Sequence, residues 1–325
     1  MSLKIIKAGL LDTIQDTGRY GYQHLGINPA GAADRFAARL ANALLGRELD
    51  AAVLELYFPA AQVNFERPAI ICISGADLVP TANGQPLAIN QPHFISSGTE
   101  LRFTGLAAGA VAYMAVLNGL RTERWLNSHS THLKAGVGGF KGRRLLQGDC
   151  IEFEEQLSLQ VQGHMLVSLP WKEEVEYRKE HFRFIEGPEW ETLTEESKEC
   201  FQSAPFTISR DSDRMGFRLQ GAALTSNTQQ EQVSSAVGFG TVQLLPSGQL
   251  VVLMADHQTT GGYPRLAAVI AADLPALAQK RPGEVVYFRA TTRLEAEESL
   301  LRVEQYLRRV QSSSKLKLEN WLHGA

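Results

Sequence analysis

The stretch TVQLLPSGQLVVLMAD, residues 241–256, decides the fold class of this chain. Two apolar runs rich in Val and Leu flank a Pro-Ser-Gly triplet, a pattern that is typical of a β-hairpin. A second hairpin is predicted at Asn83-Gly84, because both turn residues must adopt positive φ. Similar short apolar runs bounded by turn residues predict strands over 69–74, 110–119, 148–155, 157–163, 182–187, 206–210 and 284–290.

Helices are predicted to be few. The first covers residues 34–45, where Asp34 suits the N-cap and Gly46 suits the C-terminal stop. The last covers 292–311, where Thr292 and Glu295 form a capping-box pattern, and the residues beyond 311 are predicted to be a loose tail. Short helices are also predicted over 192–200 and 273–279. Many strands with few helices favour barrels or sandwiches, so the chain is predicted to be mainly β (α+β).

The bulk composition excludes several classes of protein. The formal net charge of the 325 residues is -3, which gives no electrostatic case for binding nucleic acid or an anionic membrane. No apolar run is long enough to span a bilayer, and the N-terminus lacks a secretory leader pattern. Three widely spaced cysteines predict neither a disulfide framework nor a metal site, so we expect a cytoplasmic protein.

A first group of polar residues lies in LLDTIQDTGRYGYQHLGINPAGAADRFAARLAN, residues 10–42. Charged and amide side chains stand among glycines there, which lets the backbone approach a ligand closely. The apolar residues are too sparse for a simple strand or helix before residue 34. A surface turn followed by a solvated helix face explains the same pattern equally well. The candidate binding residues are Gln15, Asp16, Arg19, Asp34, Arg39 and Asn42.

A second group lies in SRDSDRMGFRLQG, residues 209–221. Asp213, Arg214 and Arg218 crowd around a glycine, and an arginine offers a fork of donors that matches carboxylate or phosphate. We take these three residues as the candidate catalytic charges. The alternative is a structural Asp–Arg pair that braces a turn, and it fits Asp213 better than Arg218.

A third group lies in ADHQTTGGYPRL, residues 255–266, directly after the apolar strand of the opening hairpin. Its glycines permit close approach, and its hydroxyls and amide give directed hydrogen bonds, so a substrate platform is plausible. His257 is either a general acid or base or a solvated side chain. The candidate substrate-binding residues are Gln258, Thr259, Thr260, Gly261, Gly262 and Tyr263.

A fourth stretch, SHSTHLKAGVGGFKGRRLLQGD (residues 128–149), is rich in glycine and basic residues. It lacks the GxxxxGK[ST] pattern of a P-loop, so any nucleotide must be bound in another way. No metal site is predicted at its two histidines, which have no obvious third ligand.

These same motifs resemble the allophanate hydrolase subunit 2 family, also called the biotin-dependent carboxyltransferase A/B domain. The family includes the C subunit of 5-oxoprolinase, KipA-like proteins and urea amidolyase-related enzymes. The resemblance covers residues 4–288 in collinear order, with Asn28 and His257 standing where the family often has proline and arginine. It implies two cyclophilin-like β-barrel subdomains, with a first part over 1–175, a barrel over 176–290, and a C-terminal helix and tail over 291–325.

The resemblance further implies a hydrolase acting on a cyclic amide: ATP-dependent opening of 5-oxoproline to glutamate. The implied partners are a KipI-like protein and a LamB-like protein, the B and A subunits of the 5-oxoprolinase, without which little activity is expected. ATP would be bound by the complex. One alternative is a biotin-dependent carboxyltransferase subunit, with biotin on a separate carrier because the chain has no biotin-attachment tripeptide. Another is a KipA-like regulator that antagonises a kinase inhibitor.

Overall fold

The computed structural model describes residues 2–155, 174–227 and 233–324, so the strand predicted over 157–163 lies outside the described residues. The chain divides into two compact units. Of the described residues, the first unit comprises 2–19, 34–155 and 304–324, and the second comprises 20–33, 174–227 and 233–303. The sequence-based division into 1–175, 176–290 and 291–325 stays a prediction.

The described part of the first unit is built mainly from short antiparallel strands. They are β1 (Leu3–Lys7), β2 (Thr13–Gln15), β3 (Val53–Tyr57), β4 (Gln62–Phe65), β5 (Ala69–Asp77), β6 (Pro80–Ala82), β7 (Gln85–Pro86), β8 (Pro92–Ile95), β9 (Glu100–Phe103), β10 (Ala108–Val116) and β11 (Cys150–Ile151). One sheet has the order β11-β1-β4-β9-β6-β7, and the other has the order β2-β3-β10-β5-β8. The hairpin at Asn83-Gly84 joins β6 to β7, and both turn residues have positive φ as predicted.

The core of the first unit explains why β5 reads as an unbroken apolar run. Ile71 and Ile73 belong to the hydrophobic core of the unit. The residues that alternate with them, Ile70 and Cys72, are equally inaccessible to solvent. Successive side chains of a strand point to opposite faces. The second face is covered by α1 (Arg35–Leu44), which packs against β5 and β10. Burial of both faces accounts for the absence of polar alternation.

Helix α1 begins and ends where the sequence predicts. The Asp34 side chain accepts a hydrogen bond from the Ala37 amide (2.9 Å), and Gly46 has a φ of +65° just after the helix. A Cβ at Gly46 would lie 2.7 Å from the Cα atom of Lys315. The glycine therefore also makes room for the C-terminal helix, a packing role that the capping pattern does not reveal.

The described part of the second unit is built around a closed seven-stranded barrel. Its strands are β12 (His181–Glu186), β13 (Phe206–Ile208), β14 (Gly216–Gln220), β16 (Thr241–Leu244), β17 (Leu250–Leu253), β19 (Arg265–Val269) and β20 (Val285–Ala290), beside the two-stranded ribbon of β15 (Ser235–Ala236) and β18 (Thr260–Gly261). The opening hairpin of the sequence is thus β16 and β17. The barrel closes by parallel pairing of β12 with β20. The mainly β class is confirmed.

Aromatic side chains fill the barrel. The rings of Phe201 and Phe288 stack with their centroids 4.8 Å apart, and Phe184 and Trp190 pack at 5.4 Å. Phe201 comes from α2 (Glu195–Ser203), whose N-cap is Thr194 and which begins three residues after the start predicted for the helix of residues 192–200. The helix predicted over 273–279 is α3 (Leu274–Ala278).

Three details of the secondary structure differ from the predictions. Residues 10–42 contain the short strand β2, which pairs with β3 although few of its neighbours are apolar. The strand predicted over 148–155 is only β11. The predicted loose tail is wrong, because α4 (Arg293–Gly324) continues through it. Ser314 and Leu318 are buried in the first unit, so tertiary packing extends a helix that local sequence did not suggest.

Candidate functional site

In the first unit, Asp16 is the centre of a buried hydrogen-bond cluster. One carboxylate oxygen accepts the hydroxyls of Ser128 (2.7 Å) and Ser130 (2.5 Å) and the Gly18 amide (2.7 Å). The other accepts the amide of His129 at 2.5 Å. A carboxylate with this many donors is satisfied and holds the segment 128–130 against the end of β2. The two serines were not among the predicted site residues.

Arg19 lies in the same cluster and is 1% exposed. Its guanidinium donates to the Ser130 carbonyl and stands 5.0 Å from the centroid of the Trp125 ring. A Cβ at Gly138 would lie only 2.4 Å from the Ser130 carbonyl oxygen, so a side chain there would collide with the acceptor of the Arg19 hydrogen bond. Gln15 is also buried and donates to the Thr13 hydroxyl at 3.0 Å. The structure thus brings Gln15, Asp16 and Arg19 together beside the glycine-rich stretch.

The three candidates on or next to α1 each hold a neighbouring piece of the first unit. Asp34 caps the helix, and the Asn42 amide donates to the Ala51 carbonyl at 2.8 Å. Arg39 makes a two-pronged ion pair with Glu304 on α4, and this hydrogen bonding lowers the pKa of Glu304. These contacts brace the first unit, and Asp34 and Asn42 are fully buried, so the helix face is not the solvated one that the sequence analysis gave as the alternative.

Two buried polar residues beside α1 were missed from the sequence. The Tyr113 hydroxyl accepts the Asp34 amide hydrogen and donates to the Glu55 carboxylate, both at 2.8 Å. All three residues are fully buried. The signal that could have found them is a single glutamate or tyrosine inside an otherwise apolar strand, as in VLELY and AVAYMAV.

In the second unit, the three predicted charges have different surroundings. Asp213 accepts the amides of Met215 (2.8 Å) and Gly216 (3.2 Å), so it braces its own turn, through backbone amides and not through the Asp–Arg pair that the sequence analysis gave as the alternative. Arg214 is largely buried, with 9% of its side chain exposed. Arg218 lies on β14 and is exposed, and within the described residues its guanidinium makes no hydrogen bond or ion pair.

Asp256 ties Arg214 to two other segments of the second unit. The Asp256 carboxylate accepts two hydrogen bonds from the Arg214 guanidinium, at 2.8 and 3.1 Å, and its amide donates to the Arg214 carbonyl at 2.8 Å. The same guanidinium donates to the Gly31 carbonyl (2.7 Å), and the Asn28 amide donates to the Asp256 carbonyl (3.0 Å). This Arg214–Asp256 lock fixes the positions of segment 28–31 and of the loop that follows β17.

The predicted platform follows this lock directly. Thr260, Gly262 and Tyr263 are exposed, whereas Gln258, Thr259 and Gly261 are half-buried. A Cβ at Gly261 would lie 2.6 Å from the amide nitrogen of the buried Gln243, so a larger residue there would have to displace the end of that side chain. The platform therefore presents a hydroxyl, a phenol and open backbone to solvent on a fixed ribbon.

His257 is not a solvated side chain. It is 2% exposed, and its Nδ1 atom donates to the Gln258 carbonyl at 2.6 Å. A buried imidazole whose ring is committed to a backbone carbonyl helps to shape the start of the platform.

An ion pair that the sequence analysis missed supports the other side of the platform. Arg265 makes two hydrogen bonds to the Glu189 carboxylate (2.8 and 3.1 Å) and one to the Ala236 carbonyl (3.1 Å) on the facing strand of the ribbon. Burial disfavours the ionised carboxyl, but the hydrogen bonds from Arg265 outweigh it and lower the pKa of Glu189. The pair therefore stays charged at neutral pH.

The described residues were searched for metal-binding groups and for membrane-spanning helices. No group of three or more His, Cys, Asp or Glu side chains there has an arrangement that suits a metal ion. Among the helices of this part of the chain, none combines the length and the apolar character needed to cross a membrane.

The comparisons with known proteins agree on one family. The model of the carboxyltransferase domain, subdomain A and B, matches residues 25–290. The 5-oxoprolinase C subunit of Escherichia coli (strain K12) is 35% identical over 88% of this chain and 90% of that protein. The 5-oxoprolinase C subunit of Haemophilus influenzae is 34% identical over 91% of this chain and 93% of that protein.

Larger eukaryotic proteins contain a similar region. The urea amidolyase of Lachancea kluyveri is 26% identical over 88% of this chain but only 17% of that protein. The crystal structure of the Kluyveromyces lactis urea carboxylase has a TM-score of 0.86 and 22% identity over 96% of this chain and 29% of that protein, which supports the fold alone. From the matched model and the two bacterial relatives, the chain belongs to the carboxyltransferase domain, subdomain A and B, family.

Proposed function

We propose that this chain is a subunit of an ATP-dependent 5-oxoprolinase, which opens the lactam ring of 5-oxoproline to give glutamate. The observation that carries the proposal is the similarity to two proteins named as the C subunit of 5-oxoprolinase, which the chain matches over 90% and 93% of their lengths. Because those two proteins are named as subunits, we infer that this chain also works with partner proteins. The partners we propose are a KipI-like protein as the B subunit and a LamB-like protein as the A subunit, without which the chain has little activity.

The chemistry of the lactam explains the need for ATP. An amide carbonyl is a poor electrophile, and transfer of a phosphoryl group to its oxygen would make ring opening easier. The charge that develops on the transferred group requires cationic donors that are already in position. ATP is bound by the assembled complex, since the chain has no P-loop pattern.

Among the predicted charges, Arg218 suits this role best. Its guanidinium is exposed, and within the described residues it has no competing carboxylate. Arg214 and Asp213 instead act as positioning residues, because their polar atoms are committed to Asp256, to Gly31 and to the turn. Thr260 and Tyr263 offer hydroxyl groups to the polar atoms of a small substrate.

Reconstitution tests the proposal. The chain is mixed with its KipI-like and LamB-like partners, ATP and 5-oxoproline, and the glutamate formed is measured. We expect glutamate only from the complete mixture. An Arg218→Ala variant should lower kcat/KM by about 10-fold to 100-fold, the loss expected for one charge-assisted hydrogen bond. An Arg293→Ala variant is the matched control, because Arg293 is also exposed and, among the described residues, its one ion pair is with Glu297.

A second candidate function is a biotin-dependent carboxyltransferase, with biotin on a separate carrier. It is favoured by the similarity to urea amidolyase, at lower identity and over a small share of that protein. To test it, the chain is mixed with a biotinylated carrier, bicarbonate and urea. Carboxylated urea from this mixture, with no glutamate from the three-subunit mixture, would favour the second function over the first. No comparison bears on the KipA-like regulatory role, which stays a prediction.

A further inference from the structure

Four neighbouring strands of the barrel place one row of side chains on its outer face. Along β14, β17, β16 and β19, the register pairs Arg218 with Val251, Val251 with Gln243, and Gln243 with Arg265. Residues that pair directly across antiparallel strands project to the same face. Arg218 is exposed, and Val252, the residue after Val251, is fully buried, so this outer row points away from the barrel core.

Gln243 is buried although it belongs to the outer row, because the ribbon of β15 and β18 covers it. Only 1% of Gln243 is exposed. Its Nε2 atom donates a hydrogen bond to the Tyr263 carbonyl (3.4 Å), and it lies 2.6 Å from the place that a Cβ of Gly261 would occupy. One amide group of the barrel thus bears on the backbone at two points of the platform.

A second residue of the outer row holds the other strand of the ribbon. Arg265 donates to the Ala236 carbonyl on β15 (3.1 Å), and Ala236 pairs with Thr260 on β18. The Glu189 carboxylate fixes the same guanidinium at 2.8 and 3.1 Å. Because Gln243 and Arg265 are neighbours in the row, the ribbon is tied to two adjacent strands of the barrel.

The outer row also sets the separation between the platform and Arg218. Arg218 lies two strands from Gln243, and neighbouring strands are about 4.8 Å apart, so the two backbones are separated by about 10 Å. Val251 occupies the strand between them, and its Cγ1 atom lies 2.8 Å from the place that a Cβ of Gly216 would occupy. The surface between Arg218 and the ribbon is therefore apolar, which suits a small ring with polar atoms at its edges.

We propose that Gln243 is a positioning residue for the 5-oxoprolinase reaction, a role that rests on the proposed function of the chain. Its amide acts through the ribbon, where it keeps the hydroxyls of Thr260 and Tyr263 at a fixed distance from Arg218. Groups that are held in place before the reaction need not be ordered during it. Loosening the ribbon would therefore slow the reaction even though each substrate-binding group is still present.

The test uses variants in the reconstituted mixture of three subunits, ATP and 5-oxoproline, with kcat and KM measured from the glutamate formed. Gln243→Met keeps the length of the side chain but removes the donor. We expect kcat/KM to fall about 3-fold to 10-fold, mostly through kcat, as for the loss of one neutral hydrogen bond that positions reacting groups. The matched control is Gln220→Met, an exposed position on the same face of β14, which should change kcat/KM by less than about 2-fold.

A second variant disturbs the same contact from the side of the ribbon. Gly261→Ala leaves Gln243 in the chain but displaces the end of its side chain, so kcat/KM should also fall about 3-fold to 10-fold. Its matched control is Gly238→Ala, where an added Cβ would meet open space among the described residues. That control should change kcat/KM by less than about 2-fold.

The effect of Gln243 should depend on the hydroxyl groups that it positions. In a chain that already carries Thr260→Val and Tyr263→Phe, adding Gln243→Met should lower kcat/KM by less than about 2-fold further. A purely structural role of Gln243 would give the same loss in both backgrounds.

Three results would overturn the positioning role, provided that the unmodified mixture forms glutamate and circular dichroism shows the variants to be folded. The first is kcat/KM within about 2-fold of the unmodified chain for both Gln243→Met and Gly261→Ala. The second is a loss confined to KM, and the third is an undiminished loss in the background without the two hydroxyls. No glutamate from the unmodified mixture would instead refute the proposed function, and the positioning role with it.

Discussion

The Arg214–Asp256 lock makes a quantitative prediction about stability. Two unit charges about 4 Å apart attract by about 4 kcal/mol at an effective dielectric constant of about 20. The exposed side-chain fractions are 9% for Arg214 and 21% for Asp256, so part of this attraction is offset by lost hydration and part is screened. We therefore expect a coupling energy of about 1.5–3 kcal/mol between the two side chains.

A double-mutant cycle measures this coupling directly. Arg214→Ala, Asp256→Ala and the double variant are unfolded with urea, and tryptophan fluorescence is followed, to which Trp190 contributes from inside the second unit. The matched control is the pair Arg293–Glu297 in the same unit, with exposed side-chain fractions of 86% and 55%. Its coupling should be about 0–0.5 kcal/mol, as for other surface pairs.

The comparison of the two pairs can refute the reasoning. If the Arg214–Asp256 coupling falls within about 0.5 kcal/mol of the control, burial does not strengthen this ion pair. The lock would then not be what holds the segment 28–31 and the loop after β17 in place.

Two further predictions concern the first unit. Burial raises the pKa of the Asp12 carboxyl to about 7, above its value in an unfolded chain. The contribution of this carboxyl to the free energy of unfolding is therefore fully present below about pH 4 and is lost as the pH rises through about 7. Asp12→Asn should remove that part of the pH dependence of urea unfolding, and an unchanged profile would contradict the assignment. Gly46→Ala should lower the free energy of unfolding by about 2–4 kcal/mol, because it adds a clash with Lys315 to the strain of positive φ. Gly136→Ala, with nearly the same φ and open space around its Cβ, should cost only about 1 kcal/mol, and equal losses would exclude the packing role of Gly46.

Local sequence patterns sufficed for much of the fold. The hairpin turns at Asn83-Gly84 and at 246–248, the N-cap of α1 and its glycine stop depend on backbone preferences that a few neighbouring residues determine. The C-terminal part of α4 could not be predicted in this way. The three consecutive serines at 312–314 favour the end of a helix, whereas the burial of Ser314 and Leu318 explains why the helix continues.

In the candidate site too, the polar motifs are visible in the local sequence, whereas the burial of each side chain depends on residues that are distant in sequence. The groups of polar residues could be predicted, because charged side chains beside glycines stand out along the chain. Arg214 and Arg218 could not be told apart from the sequence, since their different burial depends on Asp256 and Gly31, which are far away in sequence. Glu55 and Tyr113 were missed although each stands inside an apolar strand, and only the fold shows that their side chains meet.

The central claim, that this chain serves a 5-oxoprolinase, is tested most directly by following one labelled carbon. 5-Oxoproline labelled with carbon-13 at its lactam carbonyl is incubated with ATP and the two partner proteins, with and without this chain, and observed by NMR. The account predicts that the label appears in the side-chain carboxylate of glutamate, together with ADP, only when the chain is present. Glutamate formed at the same rate without the chain, or none from a complete mixture of folded proteins, would contradict it.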